Sequence, residues 1–243
     1  MAMADFDLSI LRQQLPSGVL LEVAPVKDHL NDLLPEERAL VEAAVASRRF
    51  EFSSARCLAR RLLTDLGAKQ QPLLPNADRS PIWPQGVIGS LSHSRRFCAT
   101  AVARPESHVA AGLLGIGVDL EDMRPLRTPL FAELLTEREL QQLDPHASQE
   151  QQANHVLATF SIKEAVYKAM SPINNDGLAF HDVEIQFEPD VFRDPCLKKA
   201  TIIRLDGLSR RLPPNCMLTA YQLTQNQSFV SIVSITQSQN APK

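Results

Sequence analysis

The chain has 243 residues, 44% of them hydrophobic, and its net charge of −3 excludes a strongly basic protein that binds nucleic acid through overall charge. Four scattered cysteines without a CxxC pair argue against a zinc site and against a disulfide-rich secreted scaffold. No signal peptide or apolar run of ~20 residues is evident, so we expect a cytoplasmic protein with neither a membrane nor a nucleic-acid partner.

The first half of the chain reads as helix, then loop, then hairpin. Residues 34–66, rich in Ala, Leu, Arg and Glu, predict one long helix or two shorter ones that end before Gly67. Residues 72–86 contain four prolines, which indicates a loop. The short runs VIGSLSH and FCATAVA are separated by a turn-like gap, which predicts a β-hairpin.

The second half repeats this order of elements. The apolar segment GLLGIGVDLE predicts a strand, ANHVLATFSIKEAVYKAM predicts a helix, and VEIQF, ATIIRL, CMLTAYQL and SFVSIVSIT predict further strands. Helices followed by hairpins indicate an α+β fold with antiparallel sheets. We place the boundary near residues 105–112, which gives an N-terminal subdomain of residues 1–110 and a C-terminal subdomain of residues 111–243.

Two acids end the GVDLE strand. Asp119 and Glu121 are two residues apart, and the period of a strand sends both carboxylates to one face. Paired oxygens suit Mg²⁺, which binds one or two protein carboxylates and takes other ligands from water and phosphate. Solvated acids at a strand end are the alternative interpretation of the pair.

Charged pairs at helical spacing occur twice. Glu164 and Lys168 are four residues apart and are consistent with a surface ion pair worth about 0.2–0.5 kcal/mol. Arg56 and Arg60 have the same spacing, and guanidinium groups suit phosphate oxygens, although a basic run is also typical of a solvated helix face.

The sequence Ser92-His93 raises the question of serine hydrolysis. Adjacent strand residues point to opposite faces, so the two side chains are poorly placed for a nucleophile-to-base hydrogen bond. Two interpretations of His93 remain: its ring donates a hydrogen bond to a phosphate, or it is a structural histidine. The segment GIGVDL lacks the third glycine of a dinucleotide fingerprint and leads into acids and not into a helix. A dinucleotide-binding Rossmann fold is therefore excluded.

The order of these motifs resembles the phosphopantetheinyl transferases of the surfactin and enterobactin synthetase type, over roughly residues 48–180. The resemblance implies Mg²⁺-dependent transfer of the 4'-phosphopantetheine arm of coenzyme A to a serine of an apo acyl or peptidyl carrier protein, with release of 3',5'-ADP. It also implies a monomer folded as a pseudo-dimer of two similar α+β subdomains, each with helices packed on an antiparallel sheet.

Site residues follow from the resemblance position by position. The implied metal ligands are Asp119, Glu121 and Glu164; the implied catalytic residues are Glu164 and Lys168; and the residues implied to bind coenzyme A are Arg56, Arg60, His93, Lys163 and Lys168. The alignment can slide by one helical turn, so Arg56 and Arg60 remain alternatives for the 3'-phosphate. Glu137 falls where the family often has an acid, and Phe160 stands where the family commonly has Trp.

Two rival functions are considered. A non-catalytic module that binds carrier protein or coenzyme A would be expected to have lost metal ligands, and the acids at 119, 121 and 164 are intact. An unrelated Mg²⁺-dependent nucleotide phosphotransferase would be expected to carry a phosphate-binding loop of the GxxxxGKS type, which the sequence lacks.

Overall fold

A computed structural model describes residues 5–105, 112–174, 177–189, 194–213 and 215–237. The elements of the first half are α1 (Ser9–Arg12), β1 (Leu20–Pro25), a 3₁₀ turn (Leu30–Asp32), α2 (Pro35–Ala39), α3 (Ala46–Asp65), β2 (Ile88–His93) and β3 (Phe97–Ala103). The elements of the second half are β4 (Leu113–Asp122), α4 (Pro129–Leu134), α5 (Glu137–Gln141), α6 (Gln149–Met170), a second 3₁₀ turn (Phe180–Asp182), β5 (Val183–Phe187), β6 (Leu197–Arg204), α7 (Asp206–Arg211), β7 (Cys216–Gln225) and β8 (Ser228–Gln237).

The strands form two antiparallel sheets. The first has the order β1-β3-β2, and the predicted hairpin is confirmed by the pairing of β2 with β3. The second has the order β4-β8-β7-β6-β5, so the four predicted late strands are confirmed as β5 to β8. The sequence did not predict β1, which pairs with β3 along its whole length.

Helix α3 packs against the first sheet. The helical composition of residues 34–66 resolves into α2, which begins at Pro35, and the longer α3. Proline is favoured at a first helical position because that residue needs no amide donor. Leu62 and Leu63 of α3 pack in one buried cluster with Val102 of β3.

Helix α6 lies on the second sheet. Ser148 and Gln151 cap its start reciprocally, which satisfies two amides that the helix leaves free. A Cβ at Gly117 of β4 would lie 1.8 Å from the carbonyl oxygen of Ala165, and one at Gly115 would lie 2.1 Å from that of Ala169. Glycine at both positions therefore allows the helix backbone to lie directly on β4.

The two halves share a core. Phe97 and Ala101 of the first sheet are buried in one cluster with Val118 and Ile232 of the second. Between the sheets, the amide of Val118 donates to Ser90 Oγ at 2.9 Å, which sets β2 beside β4.

The predicted α+β class is confirmed, with each half built from one long helix on an antiparallel sheet, of three strands in the first half and five in the second. The subdomain limits 1–110 and 111–243 stay predictions, and residues 106–111 at that boundary lie outside the described part of the chain. None of the described helices combines the length and the apolar character needed to cross a membrane.

Candidate active site

Three carboxylates gather where β4 faces α6. Asp119 and Glu121 are two residues apart on β4, the spacing predicted to put both on one face, and Glu164 lies on α6, opposite that strand. Burial, followed by the negative charge of Asp119, raises the pKa of Glu121 to about 7. Burial also raises the pKa of Glu164, where the charge of Lys168 acts in the opposite direction and that of Asp119 adds to the rise. The structure therefore brings the three predicted ligands into electrostatic contact.

Asp119 is the centre of this cluster and is only 3% exposed. Its Oδ1 accepts a hydrogen bond from Lys168 Nζ at 2.6 Å and another from Ser92 Oγ at 2.9 Å. Lys168 Nζ also donates to Ser92 Oγ at 3.2 Å. From sequence, Ser92 was interpreted as a nucleophile or as a hydrogen-bond donor to a phosphate. Its contact with Asp119, which is 27 residues further along the chain, was not predicted.

The donor set fits a divalent cation. Asp119 Oδ2 is buried and has no hydrogen-bond partner among the described residues, so this oxygen is available to a ligand. The ligand atoms of the three acids do not all lie within 4.8 Å of one another. An open set of carboxylates suits Mg²⁺, which keeps water and substrate phosphate among its ligands.

Basic side chains lie beside the acids. His93 ends β2, and its Nε2 accepts a hydrogen bond from Arg48 Nη1 at 3.2 Å while its Nδ1 lies 3.7 Å from Glu51 Oε2. Burial lowers the pKa of His93, an effect that Glu51 opposes and Arg48 strengthens. The lowered pKa favours the neutral imidazole, which can accept from Arg48 through Nε2 when its proton is on Nδ1.

The structure separates the two alternative arginines. Arg56 Nε donates to the carbonyl of Leu73 at 2.8 Å, and its guanidinium lies 4.5 Å from the ring centroid of Phe52. Burial lowers the pKa of Arg56 to about 10, and its charge acts on His93. Arg56 thus lies within electrostatic reach of both His93 and the buried Glu37, whose charge opposes the fall in the pKa of Arg56.

Arg60 faces another way. Its guanidinium pairs with the carboxylate of Glu37, which is 0% exposed, and also donates to the carbonyl of Asp32. These contacts hold α2 and the preceding loop on α3, so the structure gives Arg60 a structural partner and does not bring it to His93.

Lys163 does not reach the cleft either. It is 1% exposed, and its Nζ donates to Glu139 Oε2 at 2.6 Å and to the carbonyls of Leu134 and Phe180 at 3.0 and 2.9 Å. All three ammonium protons are thereby used inside the protein. The implied contact of Lys163 with coenzyme A does not fit this geometry, and Glu137 is exposed while the neighbouring acid Glu139 is buried.

An apolar cavity of about 490 Å³ opens beside Glu164 and Lys168. It lies between α6, β2 and the proline-rich loop, and Ile82, Trp83 and Tyr167 contribute its apolar wall. The ring of Trp83 lies on Gly89, where a Cβ would be 2.8 Å from the ring. The site thus combines three acids that suit a cation with nearby basic groups that suit an anion, and Glu164 and Lys168 also line a cavity with a partly apolar wall.

Comparison with known proteins adds independent findings. Residues 36–103 match the 4'-phosphopantetheinyl transferase N-terminal domain, and residues 115–201 match the 4'-phosphopantetheinyl transferase superfamily. The chain is 35% identical over 205 residues to 4'-phosphopantetheinyl transferase Svp of Streptomyces mobaraensis, which covers 81% of each chain. It is 34% identical to 4'-phosphopantetheinyl transferase PptT of Mycobacterium tuberculosis, over 65% of this chain and 66% of that protein. It is 30% identical to enterobactin synthase component D of Salmonella typhi, over 59% and 57%.

Proposed function

We propose that this chain, which belongs to the 4'-phosphopantetheinyl transferase superfamily and is an enzyme of that type, transfers the 4'-phosphopantetheine arm of coenzyme A to a serine of an apo carrier protein with Mg²⁺. The observation that carries the proposal is the buried Asp119 Oδ2, which lacks a hydrogen-bond partner within the described part of the chain, on a carboxylate whose charge acts on Glu121 and Glu164. Three carboxylates would repel an anionic substrate, and a cation between them and the substrate would offset that repulsion. The alternative of a binding module without catalysis has no such need for the full acid set.

In the reaction, the carrier serine oxygen forms a bond to the β-phosphorus of coenzyme A, and the bond from that phosphorus to the bridging diphosphate oxygen breaks. The products are the modified serine and 3',5'-ADP. Asp119, Glu121 and Glu164 would hold Mg²⁺, which would neutralise charge at the diphosphate and polarise the phosphorus under attack.

The protein side chains provide a base and a cation. Glu164 is our candidate for accepting the serine proton, because burial raises its pKa toward the range in which a carboxylate acts as a base near neutral pH. Lys168, whose side chain is 25% exposed, reaches Asp119 from the next turn of the same helix, and we assign it the donation of a hydrogen bond to a diphosphate oxygen.

Coenzyme A binding is assigned to the groups around the acids. Arg48, which is hydrogen-bonded to His93, and Arg56, whose charge acts on His93, are proposed to receive the 3'-phosphate, since guanidinium groups donate paired hydrogen bonds to phosphate oxygens. The 490 Å³ cavity, with its wall of apolar side chains next to Glu164, is proposed to hold the pantetheine arm.

We further propose a monomer in the cytoplasm, without a nucleic-acid or membrane partner. The acids of β4 and α6 and the basic group of α3 and β2 come from one chain, which supports a complete site within a monomer. The four cysteines are free, as expected of a protein in a reducing compartment.

Mass spectrometry of a panel of apo acyl and peptidyl carrier proteins, incubated with the enzyme, coenzyme A and Mg²⁺, tests the proposal. We expect a mass gain of one phosphopantetheine on at least one carrier, and loss of that gain when the carrier serine is replaced by alanine. No gain on any carrier, together with retained coenzyme A binding, would favour the binding module.

A further inference from the structure

A second group of potential ligands lies in the N-terminal half, away from the acid cluster. His29, Asp32 and Cys57 each offer one ligand atom, and these atoms all lie within 4.8 Å of one another. His29 Nδ1 is 2.9 Å from Asp32 Oδ2. The three side chains line a cavity of about 460 Å³ on the outer side of α3.

The loop that carries His29 and Asp32 is fixed to α3 at both ends. Ser54 Oγ accepts from the amide of Lys27 at 2.8 Å, and Ser53 Oγ accepts from the amide of His29 at 3.2 Å. These serines lie one helical turn before Cys57. At the other end, Arg60 donates to the carbonyl of Asp32. The group is therefore held by backbone contacts that do not depend on a bound ion.

The ligand types select a metal. Imidazole nitrogen, carboxylate oxygen and cysteine sulfur are the ligands of Zn²⁺, which is bound by three protein side chains and one exchangeable ligand in open sites. Mg²⁺, by contrast, takes oxygen ligands and does not favour sulfur. A thiolate and a carboxylate would balance the two charges of the ion.

Arg60 completes the surroundings. Its Nη2 donates to Cys57 Sγ at 3.3 Å, while its charge is balanced by the buried Glu37. Hydrogen bonds from outer groups orient metal ligands and support their charge.

We infer that His29, Asp32 and Cys57 form a binding site for Zn²⁺, with a fourth ligand position toward the 460 Å³ cavity. The chain lacks the paired cysteines of a common zinc motif, and these ligands come from two separate segments. Metal at this site would clamp the loop of residues 27–32 onto α3, the helix that also carries Arg56.

Cobalt absorption tests the inference on the full chain. Co²⁺ is titrated in excess Mg²⁺, and a near-ultraviolet thiolate-to-cobalt band is expected to saturate at one ion per chain and to disappear on addition of Zn²⁺. The acid cluster has only oxygen ligands and gives no such band. Cys196→Ser, a change at another partly exposed free cysteine, is the matched control and should keep the band.

Three variants decide the outcome. Cys57→Ser is expected to abolish the band, and His29→Asn and Asp32→Asn to weaken Co²⁺ binding at least ~10-fold. The last two side chains are 35% and 65% exposed, so these variants keep the test open if Cys57→Ser does not fold. Zn²⁺ should raise the Tm of the wild type and of Cys196→Ser only. A band absent from the wild type, or unchanged in His29→Asn and Asp32→Asn, would overturn the site.

Discussion

Lys168 Nζ lies 2.6 Å from Asp119 Oδ1, and this contact joins helix α6 to strand β4 at the point where the three acids meet. The same carboxylate leaves Oδ2 buried without a partner in the described structure. One oxygen is thus held in place by protein contacts, and the other is available to an ion.

Asp119→Asn keeps the shape of the side chain and removes its charge. We expect the fold to persist and carrier modification to fall by orders of magnitude at limiting Mg²⁺, with partial recovery in excess Mg²⁺ because a weakened ligand set needs more metal. Asp122→Asn, on the same strand but bonded to Arg96 and Ser228, is the matched control and should retain turnover. Wild-type turnover of Asp119→Asn at limiting Mg²⁺ would remove the metal assignment.

The raised pKa of Glu121 predicts how stability depends on pH when metal is removed by a chelator. Its pKa rises from 4.5 to about 7 in the folded protein, so the folded state binds this proton more tightly than the unfolded state. The contribution of Glu121 protonation to the free energy of unfolding is fully present below pH 4.5 and is lost as pH rises toward 7. Urea unfolding of the wild type and of Glu121→Gln at pH 5 and 7 measures it.

We expect the free energy of unfolding of Glu121→Gln to change less between pH 5 and pH 7 than that of the wild type. Mg²⁺ should suppress this difference, since it favours the ionised carboxylate. Identical pH dependence of the two proteins in chelator would show that Glu121 does not have the raised pKa.

Gly117 permits the contact between α6 and β4. Gly117→Ala would place a methyl group 1.8 Å from the carbonyl oxygen of Ala165, so helix and strand must separate. We expect a loss of at least about 1–3 kcal/mol in stability, as for an overpacked core, together with lower turnover. Gly177→Ala, where a Cβ meets nothing within 4 Å, is the control and should change neither. Unchanged urea unfolding of Gly117→Ala would contradict this packing.

Alanine substitutions of Arg56 and Arg60 should have different effects on activity and stability. Arg56→Ala is expected to raise KM for coenzyme A much more than KM for 3'-dephospho-coenzyme A, because only the former carries the phosphate. Arg60→Ala removes the ion-pair partner of the fully buried Glu37, which keeps its hydrogen bonds from the amides of Leu34 and Leu73; this should cost up to about 3–5 kcal/mol of stability, with similar effects on both substrates. Equal effects of Arg56→Ala on the two substrates would remove its phosphate role.

Local periodicity predicted what lies within single elements. The alternation in GVDLE placed Asp119 and Glu121 together, and helical spacing placed Glu164 near Lys168. Contacts between elements were not predictable. Lys163 adjoins Glu164 in sequence but faces the core, because its partner Glu139 comes from α5.

Strand β1 was missed for a similar reason. Its sequence LLEVAP has no clear alternation and ends in proline, so its strand conformation depends on pairing with β3, more than 70 residues away. The ligand group at His29 and Cys57 likewise depends on how a loop lies on α3. Such long-range contacts are set by packing rather than by local sequence.

Glu164→Gln tests the central claim most directly, since it keeps size and hydrogen-bonding shape but cannot carry the charge of a base or metal ligand. In single-carrier mass spectrometry with coenzyme A and Mg²⁺, we predict a fall in kcat of at least ~100-fold with an almost unchanged Tm and retained coenzyme A binding. A surface pair with Lys168 would instead cost under about 1 kcal/mol of stability and little activity. A Gln variant that modifies the apo carrier at the wild-type rate would contradict the assigned mechanism.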